Sequence, residues 1–129
     1  MKKILITRKL ISASEDKASN LFDVKLNKDD KLLSKEQIIK NSKDCDGILS
    51  SLTEKFDNDL ISKLPDTIKI ISNFAVGFGN IDTKAAKKRN IIVTNTPDVL
   101  TDATAEIAML VLLGAARRAK EGIEWVKKK

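Results

Sequence analysis

The chain has 129 residues, 42% of them hydrophobic and 33% charged, with five Gly and two Pro. That is enough for one hydrophobic core, too little for a two-domain enzyme, and neither a disordered nor a fibrous composition. One cysteine, Cys45, cannot close an intramolecular disulfide, and the lack of any His excludes serine triads, Cys–His pairs and His-based metal sites within this chain. The net charge of +6 comes from 24 basic residues against 18 acidic ones. The lysines are scattered among acids, there is no Tyr, and no basic–aromatic interleaving offers a stacking platform, so the charge reads as solvated surface and no nucleic-acid partner is expected.

Short β-branched runs alternate with polar, amphipathic stretches, which is the pattern of buried parallel strands covered by helices, an α/β fold. Lys2 and Lys3 precede an apolar run at 4–6 that Thr7 and Arg8 break, far too short for a signal-peptide core, so a cytoplasmic protein is expected. The first strand is predicted at 3–7 and a helix at 14–22, followed by a second strand at 23–26. Ser34 and Gln37 have the spacing of a capping box that opens a helix to about Lys43. A third strand is predicted at 47–51 after the Asp46-Gly47 turn. Asp57 can cap a helix to Leu64, and Pro65-Asp66 turns the chain into a fourth strand at 68–72. Asp82 can cap a helix at 83–89, Asn90 suits its end, and a fifth strand follows at 91–94.

Beyond Pro97 one long helix is predicted from Thr101 or Asp102 to about Arg118, with a frayed tail at 127–129. Its apolar run at 107–116 is about half of what a bilayer crossing needs, so no membrane partner is expected and burial against protein is. A run with no polar face cannot be covered by one face of a small sheet, and something else should cover the remainder.

The most informative stretch is 73–82, NFAVGFGNID, directly after a predicted buried strand. Gly77 and Gly79 invite a dinucleotide-binding reading, but the third glycine position holds Asp82, and no strand-ending acid stands some 20 residues on. Two readings remain from the residues alone. The glycines make a tight turn, with Asn80 and Asp82 bonded to its backbone, or they form a nest whose N–H groups face an anion such as a carboxylate. A second loop, 50–53, falls on the same rim. A phospho-receiver domain has similar length and strand order but needs an acceptor Asp and an acidic pair, where this chain has Ser50 and Ser51, and Thr7 and Arg8.

Residues 68–118, from IKIISNFAVGFGNID through KKRNIIVTNTPDVLTDATAEIAMLVLLGAARR, closely resemble the D-isomer-specific 2-hydroxyacid dehydrogenases, in particular their glyoxylate and hydroxypyruvate reductase branch. SLTEKFDNDLI resembles the loop and helix after the family's third strand. The resemblance implies a flavodoxin-like, doubly wound, five-stranded parallel sheet of order 2-1-3-4-5 over residues 1–100, then an interdomain and dimerisation helix with its tail over 101–129. A nucleotide-binding domain would be absent. It further implies that the Val76 and Gly77 N–H groups bind the carboxylate of a small 2-oxo or 2-hydroxy acid, that Leu52 walls the substrate pocket, and that Val76 and Thr104 touch an NAD or NADP cofactor.

The family's nucleotide loop, substrate-binding Arg and acid/base His lie downstream of this stretch, so the resemblance implies no catalytic residue here, no tight cofactor binding by this chain alone, and a homodimer joined through 101–118. Arg117 and Arg118 lie beyond the apolar helix and read as helix-end surface. Two functional classes follow. One is a truncated substrate domain of a dehydrogenase, and the other is a stand-alone carboxylate-binding or regulatory domain derived from one.

Overall fold

The computed structural model describes residues 1–128 and divides into two compact units, one ending at Pro97 and one beginning at Asp98. The first unit runs β1 (Lys3–Ile6), α1 (Ser12–Leu21), β2 (Asp23–Leu26), α2 (Lys35–Asn41), β3 (Gly47–Ser51), α3 (Asn58–Lys63), β4 (Ile70–Phe74), α4 (Thr83–Lys88) and β5 (Ile92–Thr94). Its five strands form one sheet, ordered β2-β1-β3-β4-β5 with every neighbouring pair parallel, as the sequence predicts. The order reverses between β1 and β3, and open α/β sheets bind ligands outside the carboxyl ends of the strands at such a reversal.

The core joins Leu5, Ile48 and Ile71 of the sheet to Ile38, Leu60, Ile61, Ala85 and Ala86 of the helices, with Phe56 fully enclosed. α1 contributes no buried residue. Gly47 is glycine for space: a Cβ there would lie 2.7 Å from Ile70 Cγ2, on the strand paired beside it.

The predicted caps are present. Ser34 and Gln37 make the reciprocal capping box of α2, Asp57 accepts from the Leu60 N–H, and Asp82 accepts from the Ala85 N–H. Asn90 takes a left-handed conformation (φ 55°) that closes α4. Several boundaries shift by one or two residues from prediction, and two of the shifted starts are informative. α1 starts at Ser12 without a side-chain cap, and β4 begins at Ile70 because the Ile68 N–H is taken by Pro65 O in the preceding turn. That delay brings Asn73 inside the strand, level with Ser50 on β3.

The second unit holds two helices, α5 (Thr101–Ala116) and α6 (Ala119–Lys127), where one helix and a tail are predicted. The break is at Arg118, which is left-handed (φ 52°) and ion-paired to Glu121 one turn on. Ala119, Ile123 and Val126 recur at helical spacing, an amphipathic stripe hidden in the sequence by its lysines and glutamates. The apolar run of α5 is exposed in this chain, not buried: Ile107, Leu110, Val111 and Leu113 each keep more than half of their surface. No helix among the described residues is long and apolar enough to cross a membrane.

Candidate anion-binding site

Parallel pairing brings the ends of β1, β3 and β4 to one rim, and three loops leave it: 7–9, 51–54 and 75–80. Asn73 organises the last of these. It is a polar residue near the end of β4 and is 1% exposed, so its amide must be satisfied internally. Its Oδ1 accepts from Ser50 Oγ (3.2 Å), and its Nδ2 donates to Gly77 O (2.9 Å) and Asn80 Oδ1 (3.0 Å).

Three successive carbonyls of the loop are held in this way. The Thr96 N–H donates to Ala75 O (2.9 Å), Asn95 Nδ2 to Val76 O (2.7 Å), and Asn73 Nδ2 to Gly77 O (2.9 Å). A planar trans peptide points its N–H opposite its C=O, so tying these carbonyls fixes the directions of the Val76, Gly77 and Phe78 N–H groups. None of those three N–H groups donates a hydrogen bond among the described residues. Oriented, unpaired backbone donors are what an anion site requires.

The loop differs from the predicted nest in its mechanism. No glycine among the described residues has positive φ, so neither Gly77 nor Gly79 reverses the backbone through a left-handed turn. A Cβ at either would meet nothing within 4 Å. Peptide orientation comes from the Asn73 and Asn95 side chains and the Thr96 N–H instead. Asn80 does not bond to its own turn either: its Nδ2 donates to Ser51 O and Glu54 O (3.0 Å each), strapping the glycine loop to the loop after β3.

Leu52 projects from that second loop, 61% exposed, and walls a depression of about 440 Å³ shared with Arg8, Lys9, Thr53 and Phe74. Val76 and Gly77 do not line it, although the Asn80 strap ties the two loops together at Ser51 and Glu54. Beneath Leu52, Glu54 is 3% exposed, and its Oε2 accepts from the Ser51 N–H (3.2 Å). Arg8 closes the rim at β1, with Nε and Nη2 on the two carboxylate oxygens of Asp30 (2.8 and 3.1 Å) and Nη1 on Thr53 Oγ1 (2.8 Å). The Arg8 hydrogen bonds, then that from the Lys9 N–H, lower the Asp30 pKa from 3.8 to about 2. Thr104 lies exposed in the first turns of α5, in the other unit.

A dinucleotide pyrophosphate does not fit the glycine loop. The Asp82 carboxylate already caps α4, a helix of six residues, and would face the phosphates with like charge. Sequence reasoning singled out the glycines and missed the amides that set the loop. The available signal was Asn73 itself, a carboxamide directly after a predicted buried strand.

Residues 4–125 match the family model for the catalytic domain of the D-isomer specific 2-hydroxyacid dehydrogenases. The glycerate dehydrogenase of Hyphomicrobium methylovorum is 44% identical over 126 residues, 98% of this chain and 39% of that enzyme. The glyoxylate reductase of Pyrococcus horikoshii is 38% identical over 125 residues, 97% of this chain and 37% of its own length. Among solved structures, an NADPH-dependent glyoxylate/hydroxypyruvate reductase from Sinorhizobium meliloti, crystallised with citrate, superposes with a TM-score of 0.79 at 27% identity, covering all of this chain and 39% of that one. The chain thus spans about two fifths of the length of the relatives it matches. With the predicted strand order, the glycine loop and this match running through all of them, the chain belongs to the D-isomer specific 2-hydroxyacid dehydrogenase family.

Proposed function

We propose that this chain is the substrate-binding part of an NAD(P)-dependent oxidoreductase acting on a small 2-oxo or 2-hydroxy acid of the glyoxylate or hydroxypyruvate kind. The Val76 and Gly77 N–H groups receive the substrate carboxylate, and Leu52 forms a wall of the pocket. One observation carries this reading: the carbonyls of Ala75 and Val76 are each occupied from behind, while the N–H groups of Val76 and Gly77 have no partner among the described residues. Val76 and Thr104 are the residues that would touch the cofactor, which supplies the hydride when bound. What this chain contributes is binding and orientation of the acid. No His is present to pass a proton to the carbonyl oxygen.

A 15N-labelled sample titrated with oxalate or glyoxylate tests the reading. The Val76 and Gly77 amide resonances should move together and saturate near millimolar ligand, the scale of a carboxylate held by backbone donors alone, about 4 kcal/mol at standard state. Stationary Val76 and Gly77 resonances while other loops respond would refute it.

The exposed apolar run of α5 supports a second element of the proposal, a homodimer joined through residues 101–118. The single, buried Cys45 and the family's chemistry support a cytoplasmic setting.

A further inference from the structure

The held carbonyls outnumber the donors that the proposed carboxylate site uses. Val76 and Gly77 point where they do because Thr96 and Asn95 hold the preceding carbonyls. The bond from Asn73 Nδ2 to Gly77 O fixes the next peptide along, whose N–H belongs to Phe78. That bond is made by a side chain that is 1% exposed, and every one of its polar atoms is engaged: Oδ1 by Ser50, and Nδ2 by both Gly77 and Asn80. Turned over, the carboxamide would set its Oδ1 against Gly77 O and Asn80 Oδ1, acceptor against acceptor, so one orientation is open to it. The Phe78 N–H has no partner among the described residues, and Phe78 is 53% exposed.

We propose that Asn73 is a positioning residue that aims the Phe78 N–H as a third donor of the anion site, so that three consecutive backbone N–H groups, Val76, Gly77 and Phe78, converge on one carboxylate. This deepens the carboxylate reading given above and rests on it. The chemistry favours a planar, two-oxygen anion. A carboxylate offers about four lone-pair directions, so two donors leave it under-satisfied and a third is used. Asn73 touches neither substrate nor cofactor and acts only through the Gly77 peptide.

The test is an oxalate titration of this chain followed at the amides of Val76, Gly77 and Phe78, with Asn73→Ser and Ser50→Ala as variants. Serine is too short to reach Gly77 O and carries no charge. In the unaltered chain the Phe78 resonance should shift with the same midpoint as Val76 and Gly77. In Asn73→Ser the Phe78 response should be lost, the Val76 and Gly77 responses should persist because their clamps are intact, and the affinity should fall about fivefold, the scale of one hydrogen bond.

Ser50→Ala removes a bond to Asn73 Oδ1 but not the clamp on Gly77, so all three responses should survive in it. A merely structural role for Asn73 would weaken all three amides together and would make Ser50→Ala resemble Asn73→Ser; that pattern overturns the proposal. Unmoved Phe78 in the unaltered chain, with Val76 and Gly77 shifting, overturns it without any variant having to fold. Unmoved Val76 and Gly77 overturn the carboxylate reading itself.

Discussion

Gly77 sits in a negative-φ conformation with open space where its Cβ would be, so alanine can adopt its backbone without strain or clash. Gly77→Ala should therefore leave the melting midpoint within a degree or two of the parent, since unstrained surface changes cost about ±0.5 kcal/mol. It should weaken oxalate binding, because a methyl group then stands in the space beside the donors. Calorimetric melting and an NMR titration on the same sample separate the two effects. Asp30 carries the clearest pH dependence on the rim. Its pKa falls from 3.8 to about 2 in the folded chain, so the Arg8 pair contributes its full stabilisation above the unfolded value and loses it as pH drops toward 2. The expected observation is a carboxyl 13C titration of Asp30 with a midpoint near 2, with the Arg8 Nε–H resonance broadening over the same range.

Elements were legible wherever a local rule governs them. The capping residues Ser34, Asp57 and Asp82 start α2, α3 and α4 as read from the sequence, because a side-chain acceptor at a helix start is a nearest-neighbour effect. The strand order came from the family resemblance, not from periodicity, which says nothing about which strands pair. Errors fell where backbone geometry is not announced by residue type: the start of β4, set by the bond from the Ile68 N–H to Pro65 O, and the break at Arg118, set by a left-handed residue that no propensity favours. The glycine loop was found, while its Asn73, Asn80 and Asn95 clamps were not, since those bonds join residues 4 to 29 positions apart.

The exposed run of α5 favours self-association. Covering side chains such as Leu110 or Leu113 is worth about 1.5–3 kcal/mol each relative to exposure, and Gly114, Ala115 and Ala116 allow close approach of a second helix. Sedimentation velocity across a concentration series should show a dimer at micromolar concentration, and Leu110→Glu should return it to a 14.3 kDa species. A parent chain that stays monomeric at high micromolar concentration removes this interface.

For the whole molecule the proposed role is positioning without catalysis. The chain holds oriented N–H donors and a walled rim but no His, and general acid catalysis typically supplies about 10²–10⁴-fold of rate. We expect no oxidation of NADH or NADPH above the protein-free rate when this chain alone is given glyoxylate or hydroxypyruvate. A contaminant-free preparation that exceeds that rate would show that the chain holds a proton donor of its own.

The three tethered carbonyls of the 75–77 loop also bear on how the chain responds to a ligand. A surface loop ordinarily surrenders conformational freedom when it closes on an anion, and that loss weakens the complex. Here the freedom is already surrendered when Thr96, Asn95 and Asn73 make their bonds during folding. The loss then weighs on the stability of the fold and no longer on the affinity of the site. Backbone order parameters of residues 75–78 should accordingly match those of β4 in the free protein and stay level on saturation with oxalate, a loop that behaves dynamically as an extension of its strand.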